Sequence, residues 1–519
     1  MIRNRLKLAV LLGSLLVFAA VPSYAKANKV NGVLIKQIEV VGNTVLSSKE
    51  IRAVVSPYEG KRLTLSQMKN IASRITAKYS DKGYTLSKAY IPRQQLAGHI
   101  LKIAVLEGRA GKLTITGKHH YYSSKFIRSY FKPLLNGKVF NQRDLERAAL
   151  LLNAYPKLKV KVNLQKGKAP ETTDLVVAAN NSLPISLILD YNNFGSKYTG
   201  KKRYGATINI GSLAIPGSML SMRGIRGNDY DSMHFGRVSY SIPLGVEGLR
   251  AGAYYGSGNY AVGRGLEVLD IKGQSTNYGV YASYPFIKEV TRSLTGKVGI
   301  DAIKTKNTML GQTTSKDMIR TLSVGTNYER LTAYSRNFLN LQITQGLGNN
   351  FGGMSNNDPY ASRVAADSDF TKFGFSLMRL QKISQPVFLL LKLNGQYSSD
   401  NLISYEQFYV GGADSVRGFA QSEYGGDSGY AATAELRIAP FQNRKLFQLA
   451  FFIDNGSIHV NDAVVGQKSS RTLTGAGAGI RLNLPYDFNI RADAGFPINP
   501  TSNANDNGVA FYLQATKTF

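Results

Sequence analysis

An α+β front section followed by an all-β transmembrane barrel of about 16 antiparallel strands is the architecture the sequence predicts. Three observations predict it. Residues 1–25 read as an export leader, two successive β-α-α-β-β stretches run from Leu34 to about residue 180, and after Pro184 the hydrophobic period drops from that of helices to that of strands.

In the leader, Arg3, Arg5 and Lys7 precede an apolar stretch from Leu8 to Val21, and Pro22-Ser23-Tyr24-Ala25 places the cut between Ala25 and Lys26. The stretch is shorter than the roughly 20 residues a spanning helix needs. It is therefore set aside from the fold. With a mean hydropathy of −0.16 and no second long apolar run, the chain is not a polytopic helical membrane protein. A hydrophobic content of 43% excludes wholesale disorder. The absence of cysteine removes a disulfide framework, a thiolate metal site and a cysteine nucleophile. The formal net charge of +31 attracts negative partners: nucleic acid, an anionic membrane surface or an acidic protein. Export argues against nucleic acid, and the cations are scattered along the chain rather than gathered in one patch.

The first module spans 34–108. Ile35–Val41 reads as a strand, Gly42-Asn43 as a turn, and Ser47 with Glu50 stands at capping-box spacing ahead of a helix. Thr64 with Gln67 repeats the device before Leu65, Met68, Ile71, Ile75 and Tyr79, which paint one helical face. Asp81-Lys82-Gly83 stops that helix, and Tyr84–Ile91 and His99–Leu106 follow as strands. The second module, 109–180, repeats the order: strand Lys112–Thr116, helix Ser123–Leu135, a helix Asn141–Ala154 capped by Asn141, then strands Leu158–Leu164 and Asp174–Val177.

From 185 to 519 the segments alternate. In Phe447–Ile453, Phe447, Leu449, Phe451 and Ile453 share one face while Gln448, Ala450, Phe452 and Asp454 share the other; Thr474–Leu484 and Phe488–Phe496 behave alike, with Arg481 and Asp493 on the polar side. One apolar face and one face of glycine, polar and charged groups fits lipid outside and water inside. A soluble sandwich would reverse the two faces, so alternation alone does not choose. The leader, the 30 Tyr and 23 Phe expected of interfacial girdles, and a final alternating strand ending on Phe519 favour the barrel. Lys517 breaks the apolar parity of that strand, which a snorkelling head tolerates near an interface. At roughly 20 residues per strand with its connections, residues 185–519 give about 16 strands.

The block Glu406-Gln407-Phe408-Tyr409-Val410-Gly411-Gly412-Ala413-Asp414-Ser415-Val416-Arg417-Gly418-Phe419 resembles the signature loop of two-partner secretion transporters of the haemolysin secretion/activation type. Phe452-Ile453-Asp454-Asn455-Gly456 and Gly477-Ala478-Gly479-Ile480-Arg481 resemble that family's two partner strands. In front, Lys82-Gly83-Tyr84-Thr85, Ala89 to Ile100 and Val105-Leu106-Glu107-Gly108 resemble its first POTRA domain; Asn153-Ala154-Tyr155-Pro156 and Thr173–Val177 resemble its second. The resemblance implies two periplasmic POTRA domains and an outer-membrane barrel whose loop near 406–428 folds into the lumen. Val416, Arg417, Gly418 and Phe419 form the loop's core, with Arg417 pairing with Asp454, and Gly456, Gly477, Gly479 and Arg481 lining the wall. It implies an unfolded exoprotein client carried across without nucleotide, lipid around the barrel, and Phe519 read by the outer-membrane assembly machinery. The transporter is expected to act as a monomer, with neither cofactor nor metal. Only Lys26–Val33 precedes the first module, so the plug helix that several relatives carry is not expected.

No catalytic constellation is expected. Gly426-Asp427-Ser428-Gly429 has the look of a serine-protease nucleophile segment, yet Tyr430 replaces the next glycine, no histidine supports it, and it reads as a turn. His99, His119, His120, His234 and His459 lack metal-ligand spacing. An assembly factor sharing the V-R-G-F loop and a passive porin are the rival functions. The first usually carries more POTRA modules, and the second needs none.

Overall fold

The computed structural model describes residues 32–228, 233–263, 265–355, 358–441, 443, 446–499 and 508–519. The leader and its cleavage site, Ala25 and Lys26, lie outside them. The chain divides into two compact units, one running to Lys82 and including Ser87–Glu107, the other comprising Gly83–Leu86 and Gly108–Phe519.

In the first unit both expected capping boxes form. Ser47 and Glu50 satisfy each other's backbone amides at the start of helix Ser48–Val55, and Thr64 and Gln67 do so for Leu65–Asp81. The long helix buries Met68, Ile71, Ile75 and Tyr79 against a three-stranded sheet in which Gln37–Val41 lies parallel to Ile100–Leu106, itself antiparallel to Lys88–Tyr90. Two strands differ from expectation. Ile35–Val41 breaks at Lys36, whose amide bonds to the His99 carbonyl, and Val33–Ile35 pairs instead with the short strand Lys61–Leu63. Of Tyr84–Ile91 only Lys88–Tyr90 is strand: Tyr84–Ser87 continues the turn that left-handed Gly83 opens, and Pro92, without an N–H, ends the pairing.

Glu107 closes this unit. Its carboxylate accepts from the amides of Thr44 (2.8 Å) and Val45 (3.3 Å), from the Tyr79 hydroxyl (2.6 Å) and from the Thr44 hydroxyl. Burial raises its pKa, but these donors outweigh burial and hold it below the usual carboxylate range.

The second module opens the larger unit. Helices Ser124–Phe131 and Gln142–Leu152 pack on a sheet ordered Arg109–Thr116, Thr172–Asn181, Leu158–Lys166. The expected helix 123–135 tightens into a 3₁₀ turn after Phe131, because Pro133 has no N–H to continue the α ladder. Arg147 donates to the carbonyls of Glu247 (2.9 Å) and Pro285 (2.7 Å), while Arg250 lies over the Tyr155 ring and donates to the Gly217 carbonyl. These contacts seat the module on turns at one end of the barrel.

Among the described residues sixteen antiparallel strands, from Ile185–Asn192 to Ala510–Thr518, close on themselves through pairing of Gln514–Thr518 with Ile188–Asn192. Side-chain parity follows the sequence: Phe451 and Ile453 point outward, whereas Ala450, Phe452, Asp454 and Gly456 are buried within. Val280, Ile300, Val324 and Ile343 are likewise more than half exposed on the outer, lipid-facing side. Lys517 turns its ammonium to the Tyr486 carbonyl and over the Phe519 ring, the snorkelling its position requires.

Candidate functional site

Four neighbouring strands build the site. Ser428–Ile438, Phe447–His459, Ser470–Leu484 and Phe488–Pro497 point Glu435, Asp454, Arg481 and Asp493 into the lumen because these residues hold the inward parity of their strands. The loop between Tyr397 and Ser428 folds inward as a hairpin, Phe408–Val410 against Tyr424–Gly426, and its tip carries Val416, Arg417, Gly418 and Phe419 to this wall.

Arg417 is the centre of the contact. Its Nε and Nη2 clasp Asp454 at 2.7 and 2.9 Å, and its backbone amide donates to the same carboxylate at 3.1 Å. Nη1 reaches Glu435 at 2.8 Å and Asp493 at 3.4 Å, and the guanidinium lies 3.2 Å above the Phe452 ring. Arg481 bridges the same two carboxylates, at 2.8 Å to Glu435 and 2.6 Å to Asp493. Arg437 and Arg491 complete their coordination. Four guanidiniums thus surround three carboxylates, and Arg417, Asp454, Glu435 and Asp493 are each no more than 3% exposed. Charges so far from water are tolerable only because each is paired and hydrogen-bonded.

The rest of the tip is fixed by shape. Gly418 has φ +105, a conformation that side chains rarely adopt, and a Cβ there would meet the backbone of Phe496 and Pro497 at 2.8 Å. Its amide donates to the Tyr512 hydroxyl, which in turn donates to the Phe419 carbonyl at 2.7 Å. Phe419 is buried with Val410, Val416, Ala431, Ile458 and Leu473. Gly456 faces the Val416 methyl, Gly477 the Phe452 ring and Gly479 the Asp493 carboxylate, so each sits where a side chain would collide.

The structure therefore brings together Val416, Arg417, Gly418, Phe419, Asp454, Gly456, Gly477, Gly479 and Arg481. Sequence reading missed Glu435, Asp493 and Tyr512 as members. Asp493 stood on the polar parity already drawn, and Thr433, Glu435 and Arg437 alternate with Ala434, Leu436 and Ile438, so parity applied to strand 428–438 would have found Glu435. The expected turn at Gly426–Gly429 is corrected: Gly426 ends one strand, Ser428 begins another, and Asp427 between them is a fully buried acceptor. Among the described residues no cluster of His, Asp and Glu could hold a metal ion. The arrangement offers no nucleophile with a base. What it does chemically is hold a loop.

Comparison with known proteins agrees with the fold. Residues 171–482 match the family model of the haemolysin secretion/activation protein ShlB/FhaC/HecB, and residues 33–108 match the POTRA domain, ShlB-type. The chain is 25% identical over 499 residues to the heme/hemopexin transporter protein HuxB of Haemophilus influenzae strain 86-028NP, covering 93% of this chain and 86% of that one. It is 24% identical to the outer membrane transporter CdiB of Dickeya dadantii, covering 90% and 83%. The solved structure of CdiB from Escherichia coli superposes with a TM-score of 0.83 at 21% identity, covering 96% of this chain and 93% of that one, which shows a shared fold.

Proposed function

The chain belongs to the haemolysin secretion/activation protein family ShlB/FhaC/HecB, the outer-membrane transporters of two-partner secretion, and from that premise we propose how it handles its client. An exoprotein, unfolded and extended, binds the periplasmic POTRA modules and passes through the barrel lumen to the cell surface or medium. Sheet edges in the modules offer backbone pairing to an extended chain. Folding of the client outside supplies direction where nucleotide is absent.

The observation that carries this reading is the inward loop whose Arg417 is clasped by Asp454 in a closed barrel. Arg417, with Asp454, Glu435 and Asp493, holds the loop; Gly418 permits its tip; Phe419 seats it; Gly456, Gly477 and Gly479 make room, and Arg481 keeps the two shared carboxylates in place. The transporter acts as a monomer in this reading, and Phe519 is read by the assembly machinery during insertion.

Client release tests the reading. Deleting the gene and comparing the medium and outer membrane with those of the parent is expected to remove one large exoprotein from the medium while other barrels remain. Broad depletion of outer-membrane proteins, with no single missing client, would make the chain an assembly factor instead.

A further inference from the structure

Opposite the end that holds the second module, three strands overshoot. Lys272–Lys288, Arg292–Met309 and Gln312–Leu331 are longer than the 9–11 residues a membrane crossing requires. The strand Gln312–Leu331 pairs with Ser335–Gly346 only from Thr321 onward. Its remaining edge is taken by the next loop: the Leu347 amide donates to the Arg320 carbonyl, that of Met354 to Met318, and that of Lys316 to the Tyr360 carbonyl, while the Ser362 amide donates to the Asp317 side chain at 2.8 Å.

From this edge the chain reaches over the lumen. Ser404 donates its amide to the Ser362 hydroxyl at 3.0 Å, Asn277 of the wall donates to the Tyr405 hydroxyl at 3.2 Å, and Lys372 of another part of the wall pairs with Glu406. Residues 404–406 therefore touch strands Lys272–Lys288 and Thr371–Lys382, which are not neighbours in the barrel. Ile303 and Ile319 from the wall are buried with Met354, Ala366, Phe370, Leu402 and Ile403. Between these loop residues and the wall lies a partly open pocket of about 440 Å³ lined by Tyr260, Thr305, Asp317, Ser362 and Tyr405.

One ion pair ties the segments together. Asp427, fully buried, accepts from the amides of Leu402 and Asn461, each at 2.8 Å, and from the Arg363 guanidinium. Arg363 also donates to the Asn461 carbonyl and, at 3.3 Å, to the Asn401 side chain. Three separate outer loops are thus held by two side chains, and both charges lose their partner if the loop carrying Arg363 leaves.

We propose that Arg363 and Asp427 are positioning residues that latch segments 358–370 and 398–407 across the outlet, sealing the resting barrel at its outer end, and that release of this latch opens the path for the client. The proposal rests on the transporter reading. It gives Asp427 a role outside the lumenal anchor at Arg417, and it places the seal on the barrel's own outer loops.

Two measurements on the full chain test it. In planar lipid bilayers, Arg363→Ala and Asp427→Asn are expected to raise ionic conductance several-fold over the parent; unchanged conductance overturns the latch. This arm needs no client, so it stands even if no exoprotein depends on the chain. The second arm uses the natural lack of cysteine. In an Asp317→Cys/Ser362→Cys variant, oxidation fastens the loop to the wall, and client release is expected to stop and to return on reduction. Release at the parental rate from the oxidised, cross-linked form overturns the proposal, and because the cross-link stabilises the fold, a purely structural role for these contacts predicts that result.

Discussion

Two carboxylates each pin a loop in this protein, and they do so with opposite partners. Glu107 in the front unit ties the turn at Thr44 and Val45 with amides and hydroxyls alone. Asp454 in the barrel ties the inward loop with a guanidinium. Removing a neutral donor from Glu107 leaves a carboxylate with other donors still in place. Removing the Arg417 side chain leaves Asp454 charged and buried, with both guanidinium bonds gone and only the backbone amide of residue 417 still donating. The strength of a clasp and the cost of its failure are therefore separate quantities. The barrel uses the version that fails expensively.

The difference can be broken or sharpened by substitution. Arg417→Ala is expected to cost about 3–5 kcal/mol at the loop anchor, the range for stripping one partner from a buried pair. Client in the medium should fall about tenfold or more for a loss of that size, measured against the amount of barrel assembled in the membrane. Full secretion by a normally assembled barrel would remove Arg417 from its role. Arg417→Lys keeps the charge but not the two-pronged clasp and should fall between. Glu107→Gln is expected to cost less, about 1–3 kcal/mol, since the amide oxygen can still accept at the Oε1 position where Thr44, Val45 and Tyr79 donate. Hydrogen exchange of the Thr44 and Val45 amides in the full chain should speed up accordingly, and equal loss at both sites would erase the contrast.

Acid offers a milder probe of the neutral site. Because the folded Glu107 pKa lies below its unfolded value, near about 4.3, its contribution is complete above the unfolded value and is lost as pH falls through the lower folded one. Protection of the Thr44 amide should decline only below about pH 4; a decline already at neutral pH would contradict the hydrogen-bond arrangement. Ser47→Ala, which removes an exposed cap, is the smallest change, at about 1 kcal/mol, read as faster exchange in the first turn of Ser48–Val55.

Legibility in the sequence tracked the range of the interaction. Ser47 with Glu50 and Thr64 with Gln67 were readable because a cap and its partner lie three residues apart. The strand count was readable because the length from 185 to 519, at roughly 20 residues per strand with its connections, sets it without knowledge of which strands pair. Arg417 with Asp454 emerged only through family resemblance, since nothing local couples a loop to a strand 37 positions away. Parity reaches Glu435 and Asp493 as inward-facing residues, but their meeting with Arg417, and that of Tyr512 with Gly418, needs register as well, and register is fixed by strands that close in space. Asp427 was misread for the opposite reason: a local tetrapeptide suggested a turn, while its partners Leu402, Asn461 and Arg363 all come from other segments. Lys36 likewise looked like mid-strand until His99, far along the chain, claimed its amide.

The closing seam also governs how this barrel comes into being. Leu513 bonds to Asn193 across 320 positions of chain, so drawing those ends together costs about 5 kcal/mol of chain entropy by the logarithmic scaling of loops. Hairpins between successive strands pay far less and form first. Until the ring shuts, the growing ribbon carries two bare edges, Ile185–Asn192 and Ala510–Thr518, each an open template for a foreign strand. Shielding those edges is thus a task for whatever escorts the nascent chain, and the final strand is where that escort must let go.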